Sequence, residues 1–588
     1  MTRRKKWTAS AVAMIALLVF MSACSSSKGG STASNSPSST ASSAASEGTD
    51  DPSKQPEITL DVFSNLANYT GEQTGWFAKV VKDKFNIKLN IISGGQQKAS
   101  TLLASGDLGD IAVAIGGDDY KDAIKAGLLL DWKKDGLLDK YGKDLLENAG
   151  KSLEANSKQF GGGTAIYGVG NSVGSGDGPS DGARTTFGPM LRWDLYQKLG
   201  SPEIKTFEDY LPIVKKMQEL SPKSDSGKPT YGFSLWSDWD GVMSVNAKVT
   251  AQFYGYNEGD GFNTADIMMT KADEAKWIGL LDDDGYYLRG LKFFFEANKM
   301  GLLDPDSLTQ KFPDVINKYK DGQVLFAQFP WLTDSYNTTE NTSQGKGFAF
   351  VPFTEEKMTS SGYNPYGSQY LWSIGSKTKY PERVMQFLNW LYSPEGAQIA
   401  AAGPKGVIWD IVDGKPALTE FGYKAVTNSV DMPAEYGGGK FTDGGFQANN
   451  ATINKSMINP ETGEPYDYSM WSSYLNHDPD PVTKSWREAM GAMTMKDYVV
   501  KNNIVAVQPA YFSEEAPVAE PADIKQKKAE MGKVIKEFSW KMMFAKTDDE
   551  FAKLKEQMIS KAKGLGYDDV LKWQVENYEK TVGAALKK

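Results

Sequence analysis

Cysteine and histidine are almost missing from these 588 residues: there is one of each, Cys24 and His477. A single cysteine excludes any disulfide within the chain, so a folded body of this length rests on its hydrophobic cores, and the length implies more than one domain. A single histidine excludes histidine-rich metal sites and leaves one candidate imidazole base, in the loop context Asn476-His477-Asp478-Pro479. Basic charge is short as well: 65 Lys and Arg stand against 74 Asp and Glu, for a formal net charge of -9. That balance argues against nucleic acid, whose phosphates need a basic face. No Gly-x-x-x-x-Gly-Lys-Ser/Thr phosphate loop is present. After the first residues, no apolar run is long enough to cross a bilayer. There is no internal repeat.

What is present begins with the N-terminus. Arg3, Arg4, Lys5 and Lys6 precede an apolar run from Ala9 to Phe20, and small residues follow, ending at Cys24. These are the three parts of an export signal, and the apolar run is too short to span a membrane. The stretch Met21-Ser22-Ala23-Cys24 resembles the lipobox of bacterial lipoproteins, with Met21 where Leu is preferred. That resemblance implies removal of 1–23, lipid on Cys24, and a place on the outer face of the cell membrane. Two acyl chains suit stable anchoring, since one alone is marginal. The alternative is an ordinary signal peptide with an incidental cysteine. Ser25 to about Asp51 is mostly Ser, Ala, Thr and Gly, and cannot bury enough surface to fold. Residues 24–56 therefore read as a lipidated, disordered tether with a reach of about 30 Å, as in Gram-positive surface lipoproteins.

The folded part is predicted to start near Glu57. Ile58, Leu60 and Val62 alternate with polar residues, as do Ile87, Leu89 and Ile91. Between them, Trp76, Phe77, Val80, Val81 and Phe85 share a helical face. Lys98 to Ala104 reads as a helix, and Asp110 to Ile115 as a strand buried on both faces. This order predicts an α/β fold, with ligands beyond the carboxyl ends of the strands. The loops there are Ser64 to Tyr69 and Gly116 to Asp119. Thr206 to Glu219 reads as a helix with Asp209 three residues after a Thr206 cap. Asp282-Asp283-Asp284-Gly285 reads as a hairpin turn. Val384, Phe387, Leu388 and Leu391 mark an amphipathic helix, and Ala522 to Lys588 is mostly helical.

Several segments carry a wider resemblance. They are Leu102-Leu103-Ala104-Ser105-Gly106-Asp107-Leu108-Gly109-Asp110, Leu191-Arg192-Trp193-Asp194 followed by Thr206-Phe207-Glu208-Asp209, and Gly301-Leu302-Leu303-Asp304-Pro305-Asp306. Asp321-Gly322-Gln323 through Pro330-Trp331 and the pair Pro381-Glu382 with Asn389-Trp390-Leu391-Tyr392 continue the set. In this order the chain resembles the sugar-binding extracellular solute-binding proteins of ABC importers, in their long Gram-positive lipoprotein branch. The resemblance implies a two-lobed periplasmic-binding-protein-like fold, with a ligand cleft between the lobes and crossing hinge strands. It places lobe one at 57–187 with 373–430 and lobe two at 188–372 with 431–588. Crossings would fall near Met190–Trp193 and Leu371–Ile374. It implies a monomer without cofactor that captures an oligosaccharide and passes it to an ABC permease. Long relatives often carry an acidic calcium loop where this chain has Ser221 to Gly232; only Asp225 remains there, beside Lys223 and Lys228, so calcium is not expected.

A sugar offers an apolar ring face for an aromatic and hydroxyl edges for fixed polar groups. With 15 Trp in the chain, the candidates are Trp236, Asp238 and Trp239 in one run, Trp331 after its strand, and Tyr370 with Trp372. Trp331 matches a ligand-facing position in maltose-binding relatives. Asn65, Asn68, Asp118 and Arg192 are candidate hydroxyl partners. Each aromatic fits core packing equally well, and Arg192 or Asp118 could form structural ion pairs instead. Two other readings stay open: a secreted glycosidase, which needs only a carboxylate pair, and a surface adhesin.

Overall fold

Of the computed structural model, residues 51–587 are described, apart from 68, 95, 116, 238–244, 258–265, 449–450, 513–517 and 519. The alternation of Ile58, Leu60 and Val62 builds the strand Ile58–Ser64, at the centre of a six-stranded sheet. It runs parallel to Ile87–Ser93 on one side and Ile111–Ile115 on the other. Gly71–Glu72 closes one edge; Ser368–Ile374 and then Gly168–Asn171 extend the other, both antiparallel. Side chains alternate between two cores. Leu60, Val62, Ile111 and Val113 enter one, while Phe63 and Ala112 enter a smaller one with Tyr120 and Leu129. A sheet covered on both faces explains the unbroken apolar run at 111–115. The helix Gly75–Phe85 buries Trp76, Phe77, Val81 and Phe85 against the larger core and stops at Asn86 in the left-handed conformation.

A second body is built around the antiparallel strands Phe326–Ala327, Met190–Arg192 and Phe348–Phe350. Its core is dense in phenylalanine; the rings of Phe207 and Phe293 lie 4.2 Å apart. Thr206 does cap the following helical segment, its backbone N–H reaching the Asp209 carboxylate at 2.9 Å. The first helix of the C-terminal tail, Ala522–Met543, packs on Tyr286–Lys299 in the same core. No helix among the described residues is long and apolar enough to cross a membrane.

The chain thus has the expected α/β fold in two lobes, but the expected boundaries shift. Ser368–Ile374 lies wholly inside the first sheet, so the crossing falls before it, at Met358 to Asn364. Met190–Arg192 lies wholly inside the second sheet, so that crossing also falls earlier, at about 174–187. Residues 431–475 belong with lobe one: Met432, Phe441, Ile453, Tyr466 and Trp471 are in its core, and the second core resumes only at Val482. The segment 476–481 is therefore a third crossing. Asp282 to Gly285 does turn, with the Asp282 carboxylate accepting from Gly279 N–H at 2.7 Å, but it leads into the helix Tyr286–Lys299 and not into a second hairpin strand.

Candidate functional site

The crossings tie the lobes together at a dense set of polar contacts. Ser180 N–H donates to the Ser361 carbonyl at 2.8 Å, and Gly362 N–H to the Gln508 carbonyl at 2.8 Å. The strand Val505–Gln508, from lobe two, lies parallel to Met358–Ser361. Two cavities open beside these segments. One, of about 580 Å³, is lined by 180–182 and 184–187 of the first crossing, by Thr359, Ser360 and Ser361 of the second, and by Gln252, Asn257, Pro330 and Trp331 of lobe two. The other, of about 470 Å³, is lined on the lobe-one side by Trp76, Trp372, Phe441, Phe446 and Tyr468, among others. Arg184 lines both. The two cavities meet at Arg184, each with its wall from a different core, and we take them together as the two halves of an interlobe cleft.

The lobe-two half combines an aromatic with polar groups. Trp331 is partly buried, its ring 5.3 Å from Phe329 and 5.9 Å from Phe312. Those contacts fix the indole without enclosing it. Asp181 accepts a short hydrogen bond from the Ser360 hydroxyl. Burial pushes its carboxyl upward, against that hydrogen bond and the Lys496 charge. Gln252 and Thr359 hydrogen-bond to each other through their side chains, and Asn257 Nδ2 donates to Gln508 Oε1 at 2.8 Å. Arg184 grips the Asp334 carboxylate with Nη1 and Nη2 at 2.5 and 3.0 Å.

The lobe-one half is an aromatic wall. Trp76 stacks on Phe441 at 5.4 Å and 9°, and its indole N–H donates to the Phe441 carbonyl at 2.8 Å. Trp372 stacks on Phe446 at 5.9 Å and 22°. Trp372 is fully buried, yet its indole N–H has no acceptor among the described residues. A buried donor without a partner costs free energy unless a water or a ligand hydroxyl supplies one. The glycine-rich loop that carries Phe441 and Phe446 can dock because Gly444 meets Gly75: a Cβ on Gly75 would stand 2.3 Å from Gly444 Cα.

Of the residues expected from sequence, Trp331 and Trp372 line the cleft, one in each half. Trp236 does not; it is 1 % exposed in the lobe-two core, packed on Phe312 and Phe329. Arg192 is buried against Asp194, at 2.9 and 3.0 Å, with its guanidinium 4.4 Å from the Tyr336 ring centre. It holds core structure and lines neither cavity. Asn65 is partly buried just beyond Ile58–Ser64, and Tyr370 is exposed; neither lines the two cavities. Asp118 lies on the helix Gly117–Lys125, with its side chain outside what is described. Asn68, Asp238, Trp239 and Cys24 lie outside the described residues. Sequence reasoning missed Trp76, Arg184, Asp181, Phe441, Phe446 and Tyr468. The run Gly437-Gly438-Gly439-Lys440-Phe441-Thr442-Asp443-Gly444-Gly445-Phe446 was the available signal, since aromatics in a glycine-rich loop have no helix or strand to pack.

In the Ser221 to Gly232 loop, charge is balanced within the protein. The Asp225 carboxylate accepts from the Lys346 ammonium at 2.9 Å and from the Tyr336 hydroxyl at 3.2 Å. Asp321 accepts from the Ser224 and Ser226 hydroxyls at 2.9 and 2.8 Å. Burial raises the Asp225 pKa, but Lys346 outweighs it and holds the group below the usual carboxylate value.

No protein-family model and no curated protein sequence matches the chain. Solved structures do match over nearly its whole length. The alginate-binding protein AlgQ2 is 18% identical, with 90% of this chain and 99% of that one aligned at a TM-score of 0.53. The N-glycan transport solute-binding protein NgtS of Streptococcus pneumoniae is 15% identical over 91% and 100%, at 0.54. The ABC-transporter substrate-binding protein FusA of S. pneumoniae, solved with kestose, is 17% identical over 89% and 99%, also at 0.54. These neighbours are binding proteins, and the chain shares their fold: two α/β lobes of the solute-binding type.

Proposed function

We propose that this protein captures an extracellular oligosaccharide in the interlobe cleft and delivers it to an ABC permease. The observation that carries the reading is the cleft itself. Aromatic rings from both cores, Trp331 on one side and Trp76, Trp372 and Phe446 on the other, flank polar groups held in place by hydrogen bonds. Stacking faces and fixed donors and acceptors are what a sugar chain requires. Two cavities joined at Arg184 suit a ligand of more than one ring. The fold neighbours, two named for alginate and N-glycan and one solved with kestose, support the same class. The chain binds without cleaving, and delivery follows from lobe closure: a ligand that touches both lobes favours the closed state, which the permease then recognises.

The same reading places lipid on Cys24 and the protein on the outer membrane face of a Gram-positive cell, where the tether raises its concentration near a permease. Two experiments test the proposal. A glycan panel read by thermal shift, followed by an assay for new reducing ends, should show stabilisation without cleavage; cleavage would favour a glycosidase, and no stabilisation by any glycan would refute capture. Cys24→Ser in a Gram-positive host should release the protein from the membrane fraction; retention would refute the anchor.

A further inference from the structure

The crossing segments border one more cavity, which shares no lining residue with the cleft. It is an open hollow of about 750 Å³, within the range of small-molecule sites. Asp177, Gly178 and Pro179 of the first crossing and Tyr363 of the second form one side. The other comes from the helices Pro481–Met490 and Met495–Lys501 and the turn between them. Pro179, Tyr363, Ala492, Met493 and Val500 give it an apolar lining, although Met493 and Val500 remain 38 % and 48 % exposed. Exposed apolar side chains beside a hollow gain by burial against the apolar part of a ligand.

Three cations share this lining: Arg487, Lys496 and Lys501. Each is oriented by backbone carbonyls. Arg487 donates from Nε to Met493 O at 3.0 Å and from Nη1 to Leu475 O at 2.5 Å. Lys496 donates to Asp181 O at 2.9 Å and Lys501 to Gly491 O at 3.0 Å. Carbonyl oxygens carry no formal charge, so these bonds position the cations; Asp480 and Asp497 also act on Arg487, and Asp181 is near Lys496. The two acids of the lining, Asp177 and Asp497, are exposed, whereas Arg487 and Lys496 are partly buried. The less solvated charges of the cavity are therefore positive, and they stand beside an apolar surface.

The geometry points to a second ligand site here, for a small amphiphilic anion: a carboxylate or similar monoanionic head on a short apolar body. The head meets Arg487 and Lys501, and the body lies along Met493 and Val500. None of its lining residues lines the cleft, although Lys496 bonds to Asp181 of the cleft lining, so the test is placed on Arg487 and Val500 and is read separately from the sugar reading.

Calorimetric titration of the full chain with octanoate, octanol and inorganic phosphate tests it. Octanoate should bind saturably at one site per chain. Octanol lacks the charge and phosphate lacks the apolar body, so each should bind at least about tenfold more weakly, the scale of one lost charge-assisted hydrogen bond. Arg487→Gln should weaken octanoate about tenfold. Val500→Asp, at an exposed position that leaves folding intact, should abolish saturation by placing an acid against the body. Absence of saturable octanoate binding to the native protein would overturn the proposal. So would undiminished binding by Val500→Asp, or phosphate binding as tightly as octanoate, which would indicate a plain anion site.

Discussion

Arg184 and Asp334 form a two-pronged ion pair where the halves of the cleft meet, Arg184 coming from the first crossing and Asp334 from the segment that follows Trp331. Both side chains are about half exposed, 46% and 56%. Such a pair contributes at most about 1 kcal/mol to stability. Its significance is position: Arg184 lines both halves of the cleft. Arg184→Met should leave the melting temperature within a few degrees of the native value while glycan affinity falls several-fold. Equal affinity in a calorimetric titration would remove Arg184 from the ligand's path.

Trp331 and Trp372 offer different interactions. For Trp331→Ala the loss is one stacking face, on the order of 0.5–1.5 kcal/mol beyond lost area, or several-fold in affinity. Trp372→Phe keeps an aromatic ring but removes the indole N–H together with part of a fully buried side chain. That N–H has no acceptor among the described residues, so its loss offsets part of the cost of the space the smaller ring leaves, and the free protein should be only modestly less stable. If a ligand hydroxyl accepts it, affinity should drop by about fivefold, the scale of a typical hydrogen bond. Unchanged affinity for both variants would reduce these rings to packing.

How far the sequence foretold this site depends on what each residue packs against. Period-two alternation at 58–62 and 87–91 named strands correctly because one face there packs on the larger core while Thr59 and Asp61 stay exposed on the other. Trp236 and Trp331 look alike in sequence, each near the end of an apolar stretch. Only the third dimension separates them: Trp236 is enclosed between Phe312 and Phe329, while Trp331 packs outside the same two rings. The lobe-one wall was illegible because Phe441 and Phe446 are about 370 residues from Trp76, and no local period records the meeting of Gly75 with Gly444. The lobe boundaries slipped for a related reason. An extended crossing and a sheet strand share one local pattern, so Leu371–Ile374 read as a hinge although it lies in the strand Ser368–Ile374.

Calcium should matter little to stability. Lys346 already supplies the positive charge that Asp225 faces, and the Ser224 and Ser226 hydroxyls occupy Asp321. A chelator should leave the melting temperature nearly unchanged. A large fall that calcium restores would contradict this.

Glu356 gives a pH signature. It is 3 % exposed in the lobe-two core, and neither carboxyl oxygen has a hydrogen-bond partner among the described residues. Burial pushes its pKa well above 4.5. Above that pH the unfolded chain has released a proton that the folded protein still holds. Stability therefore falls as pH rises, by up to about 1.4 kcal/mol per unit, until the folded carboxyl ionises. Denaturant midpoints between about pH 5 and pH 8 should decline with a slope that Glu356→Gln flattens. Parallel slopes for the two proteins would exclude a buried proton at this position.

The central claim is that one oligosaccharide bridges both cores and draws the lobes together. Small-angle scattering tests it most directly, comparing the protein alone with the protein saturated by a glycan identified in the panel. Three crossing segments can absorb a hinge rotation, and only a ligand with differential affinity for the closed state can shift the population. The account predicts a smaller radius of gyration at saturation, with the change lost in Trp331→Ala at the same glycan concentration. A radius unchanged at full saturation would contradict closure and leave the cleft a fixed groove.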